Sequence, residues 1–297
     1  MVTTCDVLVV GAGPGGGSAA LHASRLGLDV IVIEDHKEIG TPVHCGECIS
    51  DIAVANLDLE LPQEVISKRV HGIRVIFPDG TKKCLTEHGY VLEKHLFEQW
   101  LIGESVEFGA KLFLGHKLQS MERIEEDGRL WGHLCEGKGE EFPIKARIVI
   151  DASGVAGICS KILDLNERPK VIAGMQYEIL EVPTDDYLDF YIWPEYVDKG
   201  YLWMIPKCDG RANVGLVTED KSGAVKELDR FISNMPEFNQ LEIVNPPWRD
   251  DGRKIRGFGG TIPISGPHQK THSDGLLLIG DAAGFTSPLF EGGSHLA

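Results

Sequence analysis

Apolar residues fall in short strand-length runs separated by glycine and charged positions, so the pattern is that of a sheet-containing protein. Asp6 to Val10 is almost wholly apolar, as a strand buried on both faces of a parallel sheet must be, and Gly11-Ala-Gly-Pro-Gly-Gly16 follows at once. Small residues then predict a helix from about Gly15 to Leu26. A second apolar run, Asp29 to Ile33, ends in Glu34, about twenty residues beyond the glycines. Together these make a βαβ unit of the dinucleotide-binding kind. Gly11 permits the tight turn, and Gly13 lets the backbone approach a pyrophosphate. Gly16 lets helix and strand approach, and Glu34 is placed to accept from ribose hydroxyls.

Downstream the alternation of strand and helix gives way to antiparallel pairing. Gly72 to Phe77, the turn Pro78-Asp-Gly80 and Lys82 to Thr86 predict a hairpin, Val91 to Leu101 an amphipathic helix, and Leu112 to Glu141 a further hairpin-like region. Ala146 to Ile150 returns to buried character and ends in Asp151-Ala-Ser-Gly154. Val171 to Val217 reads as antiparallel sheet rich in aromatic residues, and Leu276 to Ile279 runs into Gly280-Asp-Ala-Ala-Gly284. Three separated strands thus end in a glycine with an acidic residue in or beside the loop. In an open α/β sheet such ends line one ligand site, and one βαβ unit accounts for only half of a long dinucleotide.

Composition narrows the partners. The chain has 297 residues, 42% hydrophobic and 25% charged, which suits a globular protein of one or two domains. No apolar run approaches the length of about 20 residues that spans a bilayer, and the N-terminus lacks the layout of an export signal. With 29 basic against 45 acidic residues the formal charge is −16, which disfavours nucleic acid. Seven cysteines, an odd number, point to reduced thiols in a cytoplasm.

Two of those cysteines lie three positions apart in Pro42-Val-His-Cys-Gly-Glu-Cys-Ile-Ser50. A structural zinc site needs four ligands, and no second Cys-x-x-Cys or matching histidine pair accompanies this one, so no metal is expected. A Cys45–Cys48 redox pair stays open at this stage.

The three strand-end motifs together resemble FAD-dependent oxidoreductases of the para-hydroxybenzoate hydroxylase fold. The resemblance implies an α/β (α+β) architecture, a Rossmann-like FAD-binding domain with an inserted antiparallel-sheet substrate domain. On this basis residues 1–70, 91–165 and 268–297 are expected to form the FAD domain, and 71–90 and 166–267 the substrate region. The cofactor contacts implied are Gly11, Gly13, Gly15, Gly16 and Glu34, with Asp151, Gly154, Gly280, Asp281 and Gly284. Lys94 stands where that fold usually has an arginine facing the cofactor, and lysine lacks the bidentate fork.

Two further stretches resemble the geranylgeranyl reductase family. Gly200-Tyr-Leu-Trp-Met-Ile-Pro206 is similar to its Tyr/Phe-x-Trp-x-Phe-Pro motif, and strand alternation sets Tyr201, Trp203 and Ile205 on one face, an apolar wall closed by Pro206. The loop around Cys45 resembles its Pro-x-x-Cys-Gly-Glu loop, which implies an active-site role for Cys45, Gly46 and Glu47; Cys48 replaces a residue that is usually small. The implied activity is FAD-dependent saturation of double bonds in geranylgeranyl chains, on an archaeal-type glycerophospholipid or a related polyprenyl substrate. NAD(P)H or a reduced ferredoxin would supply electrons, and the setting would be cytoplasmic with peripheral membrane contact. Rival readings are a flavin-dependent halogenase or monooxygenase, an electron-transfer flavoprotein serving a quinone, and a binding protein without turnover. Compared with the family, the C-terminal part looks to be missing, and Phe290-Glu-Gly-Gly293 departs from the usual turn and leaves Glu291 near the flavin.

Overall fold

A computed structural model describes residues 2–180, 182–235, 243–244 (as backbone) and 258–287. It divides into two compact units, Met1–Thr41, His95–Lys170 and Pro263–Ala297 in the first, Pro42–Lys94 and Val171–Ile262 in the second. The turn Phe290 to Gly293, and Glu291 within it, lie outside the described residues.

In the first unit the strands run in the order Leu276–Leu278, Ile144–Asp151, Thr3–Val10, Val30–Glu34 and Lys111–Leu114, all parallel to their neighbours. A short antiparallel strand, His272–Ser273, borders one side, and the hairpin of Lys117–Glu126 and Arg129–Lys138 joins through Ile144–Asp151. The register aligns the carboxyl ends: Val10 pairs with both Ile33 and Asp151, and Asp151 with Leu278. Helix Pro14–Arg25 begins with Pro14 in its first turn, where a missing N–H costs nothing. It packs Ala20 on Val7, Val9, Val30 and Val32. Leu112, expected in a hairpin, lies instead in the parallel edge strand, and the antiparallel pairing starts at Lys117.

The second unit holds a sheet in which Val171–Ile179, Ala212–Thr218, Gly200–Pro206 and Tyr187–Tyr191 pair antiparallel in that order. The predicted hairpin, Gly72–Ile76 with Lys82–Leu85, continues the sheet by a parallel pairing of Tyr187–Tyr191 with Gly72–Ile76. Alternation divides its side chains. Leu202, Val214, Leu216, Tyr177 and Tyr191 face helix Ala224–Asn234, which buries Leu228 and Phe231 against them. Each such side chain contributes about 1.5–3 kcal/mol. The opposite face carries the polar and aromatic residues described below.

Two expectations are revised. Residues 42–70 belong with the second unit, because Cys48–Ser50, Gly89–Leu92 and Ile66–Val70 pair with one another as a three-stranded sheet. The helix expected from Val91 begins at Lys94 and runs to Glu107, since Tyr90 to Leu92 are committed to that sheet.

Candidate active site

In the first unit the loops after the aligned strand ends have the backbone geometry of a nucleotide cradle. Gly11 has φ +105°, and a Cβ there would stand 2.5 Å from the Ala152 carbonyl oxygen. At Gly16 a Cβ would meet the Gly11 oxygen at 1.9 Å, so helix and turn close up only because both residues are glycine. Gly13 differs: nothing of the protein lies within 4 Å of its Cβ position, which leaves the mouth of the loop open for a phosphate. Gly15 is buried in the first turn of the helix. The Glu34 carboxylate accepts from Ala12 N at 2.8 Å and from His36 N at 3.0 Å, which holds it at the glycine loop, where a ribose would lie.

The two later loops are built alike. Asp151 is fully buried, and its oxygens accept from Ser153 N, Ser153 Oγ, Cys159 N and Ser160 N. Four donors fill the carboxylate's acceptor sites, so Asp151 holds the loop and caps helix Ile158–Ile162, and the half-buried Gly154, with φ +62° and an open Cβ direction, is left to meet a ligand. Gly280 and Gly284 take left-handed φ values of 54° and 74° at either end of a single 3₁₀ turn. Asp281 sits inside that turn, after the capping residue Ile279, and accepts from Thr286 Oγ1 at 3.0 Å. These residues fit FAD: an open pyrophosphate mouth, a ribose carboxylate and two further glycine turns on aligned strand ends.

In the second unit, the loop Pro42 to Ser50 is held by its own interior. Glu47 has φ +73°, which points its N–H back to Cys45 Sγ at 3.2 Å while its carbonyl accepts from Leu92 N at 2.8 Å. Its buried carboxylate accepts from Lys207 Nζ at 2.8 Å, Asn213 Nδ2 at 2.6 Å and Lys94 N at 3.0 Å. Lys207 Nζ also donates to Glu93 at 2.9 Å, and Arg211 joins Glu93 to Glu178, both at 2.8 Å. Burial pulls the Lys207 ammonium down, but Glu47, Glu93 and Glu178 outweigh it and hold the group above its ordinary value. For Glu93 burial pushes up, and Lys207 with Arg211 prevails and keeps the carboxyl below its usual range.

Beside this charged cluster stands the predicted wall. Tyr201, Trp203 and Ile205 share a face, with Phe190 against Tyr201 at 5.4 Å between ring centroids. Trp203 Nε1 donates to Gln176 Oε1 at 3.3 Å, and Gln176 Nε2 to the Cys45 carbonyl at 2.8 Å, so wall and loop are hydrogen-bonded together. Gly46 meets the wall directly: a Cβ there would lie 2.9 Å from Ile205 Cδ1. Pro206 closes the strand, and Lys207 follows it.

Cys45 and Cys48 are not joined by a disulfide, and their sulfurs point to different partners: Cys45 Sγ accepts from Glu47 N at 3.2 Å, and Cys48 Sγ donates to the Gly46 carbonyl at 3.5 Å. Burial, reinforced by Cys45 and Glu47, pushes the Cys48 thiol well above its ordinary value, which opposes its action as a thiolate. His44 is exposed. The lysines weighed for a halogenase stand elsewhere: Lys68 pairs with Asp186 at 3.2 Å, and Lys82 is exposed on an edge strand.

Sequence reading missed Lys207, Glu93, Glu178, Arg211, Asn213 and Gln176. A signal was present for three of them. Gln176 and Glu178 alternate within one apolar strand, and Asn213 interrupts another, which places all three on the same sheet face.

Comparison with known proteins agrees with this construction. Residues 6–161 match the family model of FAD dependent oxidoreductases, and residues 171–246 that of the geranylgeranyl reductase catalytic domain. The digeranylgeranylglycerophospholipid reductase of Methanocaldococcus jannaschii is 36% identical over 98% of this chain and 73% of its own length. One of two such reductases from Methanopyrus kandleri is 34% identical with the same coverage. A geranylgeranyl bacteriochlorophyll reductase-like structure from Thermoplasma acidophilum superposes with a TM-score of 0.88 at 30% identity, covering 100% of this chain and 75% of that one. A flavin-dependent brominase shares the fold, at a TM-score of 0.77 and 17% identity over 98% of this chain and 76% of its own. The chain is an FAD-dependent oxidoreductase and belongs to the geranylgeranyl reductase family.

Proposed function

We propose that this protein saturates isolated double bonds in the geranylgeranyl chains of an archaeal-type glycerophospholipid, with the chain laid along the wall of Tyr201, Trp203 and Ile205. The observation that carries the reading is the face itself, in which an aromatic strip runs into the loop of Cys45 through Gln176. A polyprenyl chain offers no hydrogen bonds and needs a dry apolar surface; aromatic side chains supply one with little loss of their own freedom. The names of the curated relatives support the same substrate class.

An isolated alkene accepts hydride poorly unless its other carbon is protonated in the same event. Bound FAD would supply the hydride, held by Gly11, Gly13, Gly15 and Gly16 at the pyrophosphate, Glu34 at the ribose and the turns at Gly154, Gly280, Asp281 and Gly284. The protein's own work is orientation and exclusion of water. Trp203 and Tyr201 fix the chain laterally, Cys45 stands at the end of the wall to set the geometry of the reacting carbons, and Gly46 keeps the loop flush with Ile205. Glu47 positions that loop.

NAD(P)H or a reduced ferredoxin would supply the electrons by transient contact. Among the described residues no helix is long and apolar enough to cross a membrane, so access to a bilayer lipid would be peripheral. The halogenase alternative rests on likeness of fold alone. Anaerobic mixing of the reduced, FAD-loaded protein with geranylgeranyl lipid tests the reading. Lipid-dependent flavin oxidation with a product heavier by two hydrogens per double bond supports it, and an unchanged flavin with unchanged lipid counts against it.

A further inference from the structure

Five charged side chains, Glu47, Glu93, Glu178, Lys207 and Arg211, form one connected network around the base of the Cys45 loop. Lys207 lies at its centre with 0% of its side chain exposed, and Glu47 has 2%. Such a cluster contributes little to stability compared with apolar packing of the same volume, so its value lies in fixing one arrangement. The arrangement it fixes is specific. Glu47 is held in the left-handed region, which a residue with a Cβ rarely adopts, and its carboxylate is clamped by donors from three segments: Lys207 after the wall strand, Asn213 in the next strand and the Lys94 N–H. That clamp turns the Glu47 N–H onto Cys45 Sγ. A single carboxylate therefore ties the sulfur's position to the strand carrying Tyr201, Trp203 and Ile205.

We propose that Lys207 is the positioning residue for Cys45, acting through Glu47; this rests on the reading of Cys45 given above. Without the ammonium, the buried Glu47 carboxylate would keep the uncharged donors Asn213 and the Lys94 N–H, since Arg211 pairs with Glu93 and Glu178, and it would relieve the charge by leaving its left-handed turn. That response moves Cys45 relative to the wall. It does not alter the apolar surface that holds the lipid.

The test uses FAD-loaded Lys207→Met and Glu47→Gln variants, the second preserving side-chain size should the first fail to fold. Two quantities are read: single-turnover flavin oxidation by a geranylgeranyl lipid, and the rate of Cys45 alkylation by iodoacetamide, followed on its peptide by mass spectrometry. In both variants the maximal turnover rate is expected to fall by about ten- to a hundredfold, the range for sub-ångström to ångström misplacement, with the half-saturating lipid concentration nearly unchanged. Cys45 alkylation is expected to change in rate in both variants, which a lysine that merely supports the fold would not bring about. Parental alkylation and turnover in either folded variant would overturn the proposal. Parental turnover in Cys45→Ala would instead remove the reading of Cys45 on which it rests.

Discussion

The indole of Trp203 lies flat across Gly215, its partner on the neighbouring strand: a Cβ at that glycine would stand 2.4 Å from Trp203 Cζ2 and 2.6 Å from Gln176 Cβ. The bare backbone of Gly215 is what lets the ring reach over to Gln176. Gly215→Ala is therefore expected to lift the indole and break its bond to Gln176. Overpacking of this kind costs about 1–3 kcal/mol. Urea unfolding should record that loss, and lipid titration a weaker affinity. Unchanged lipid binding in the folded variant would separate Trp203 from the substrate.

Two neighbouring glycines of the nucleotide loop should behave differently. Gly13→Val projects into open space and is expected to abolish FAD binding while the apo-protein unfolds at the parental urea midpoint. Gly16→Ala collides with the Gly11 carbonyl and is expected to lower the midpoint even without cofactor. FAD itself should be released by denaturation and filtration. Equal effects of the two variants on the apo-protein would contradict the distinction.

Trp203→Phe and Cys45→Ala should divide binding from turnover. The first removes the Nε1 donor to Gln176 and is expected to weaken lipid affinity by about 0.5–1.5 kcal/mol. Cys45→Ala is expected to slow alkene reduction with FAD content and lipid affinity intact, and Cys48→Gly to be tolerated, since the Cys48 thiol is half-buried, turned to Gly46 and held above its ordinary pKa. Loss of turnover in Cys48→Gly would restore a working thiol pair.

The charged cluster predicts a plateau in stability against pH. Glu93 titrates below its ordinary 4.5 in the folded protein, so its contribution is present above 4.5 and is lost as pH falls through the lower native value. Lys207 titrates above its ordinary 10.5, so its contribution is complete below 10.5 and is lost as pH rises through the native value. The difference in unfolding free energy between parent and Lys207→Met, measured across pH, should be greatest on the plateau and shrink at both ends. A difference independent of pH would contradict the assignment.

The nucleotide layer was legible because its physics is local. Gly11, Gly13, Gly16 and Glu34 carry their meaning in spacing alone, and the alternation of Tyr201, Trp203 and Ile205 announces a face. The strand at Tyr90 was not legible, since its pairing with Ile49 and Arg69 is long-range and the same residues suit a helix start. Lys207 and Arg211 flank Cys-Asp-Gly, a composition that suits a solvated turn. Only the fold, by carrying Glu47, Glu93 and Glu178 to them from three other segments, turns that turn into the buried centre of a cluster.

Anaerobic single-turnover oxidation of the reduced, FAD-loaded protein by a geranylgeranyl glycerophospholipid, with the lipid product weighed by mass spectrometry, tests the proposed function most directly. The account predicts flavin oxidation that saturates with lipid concentration and a gain of two hydrogens for each flavin oxidised. Flavin that stays reduced in the presence of bound lipid, or that oxidises without any gain of hydrogen by the lipid, would contradict it.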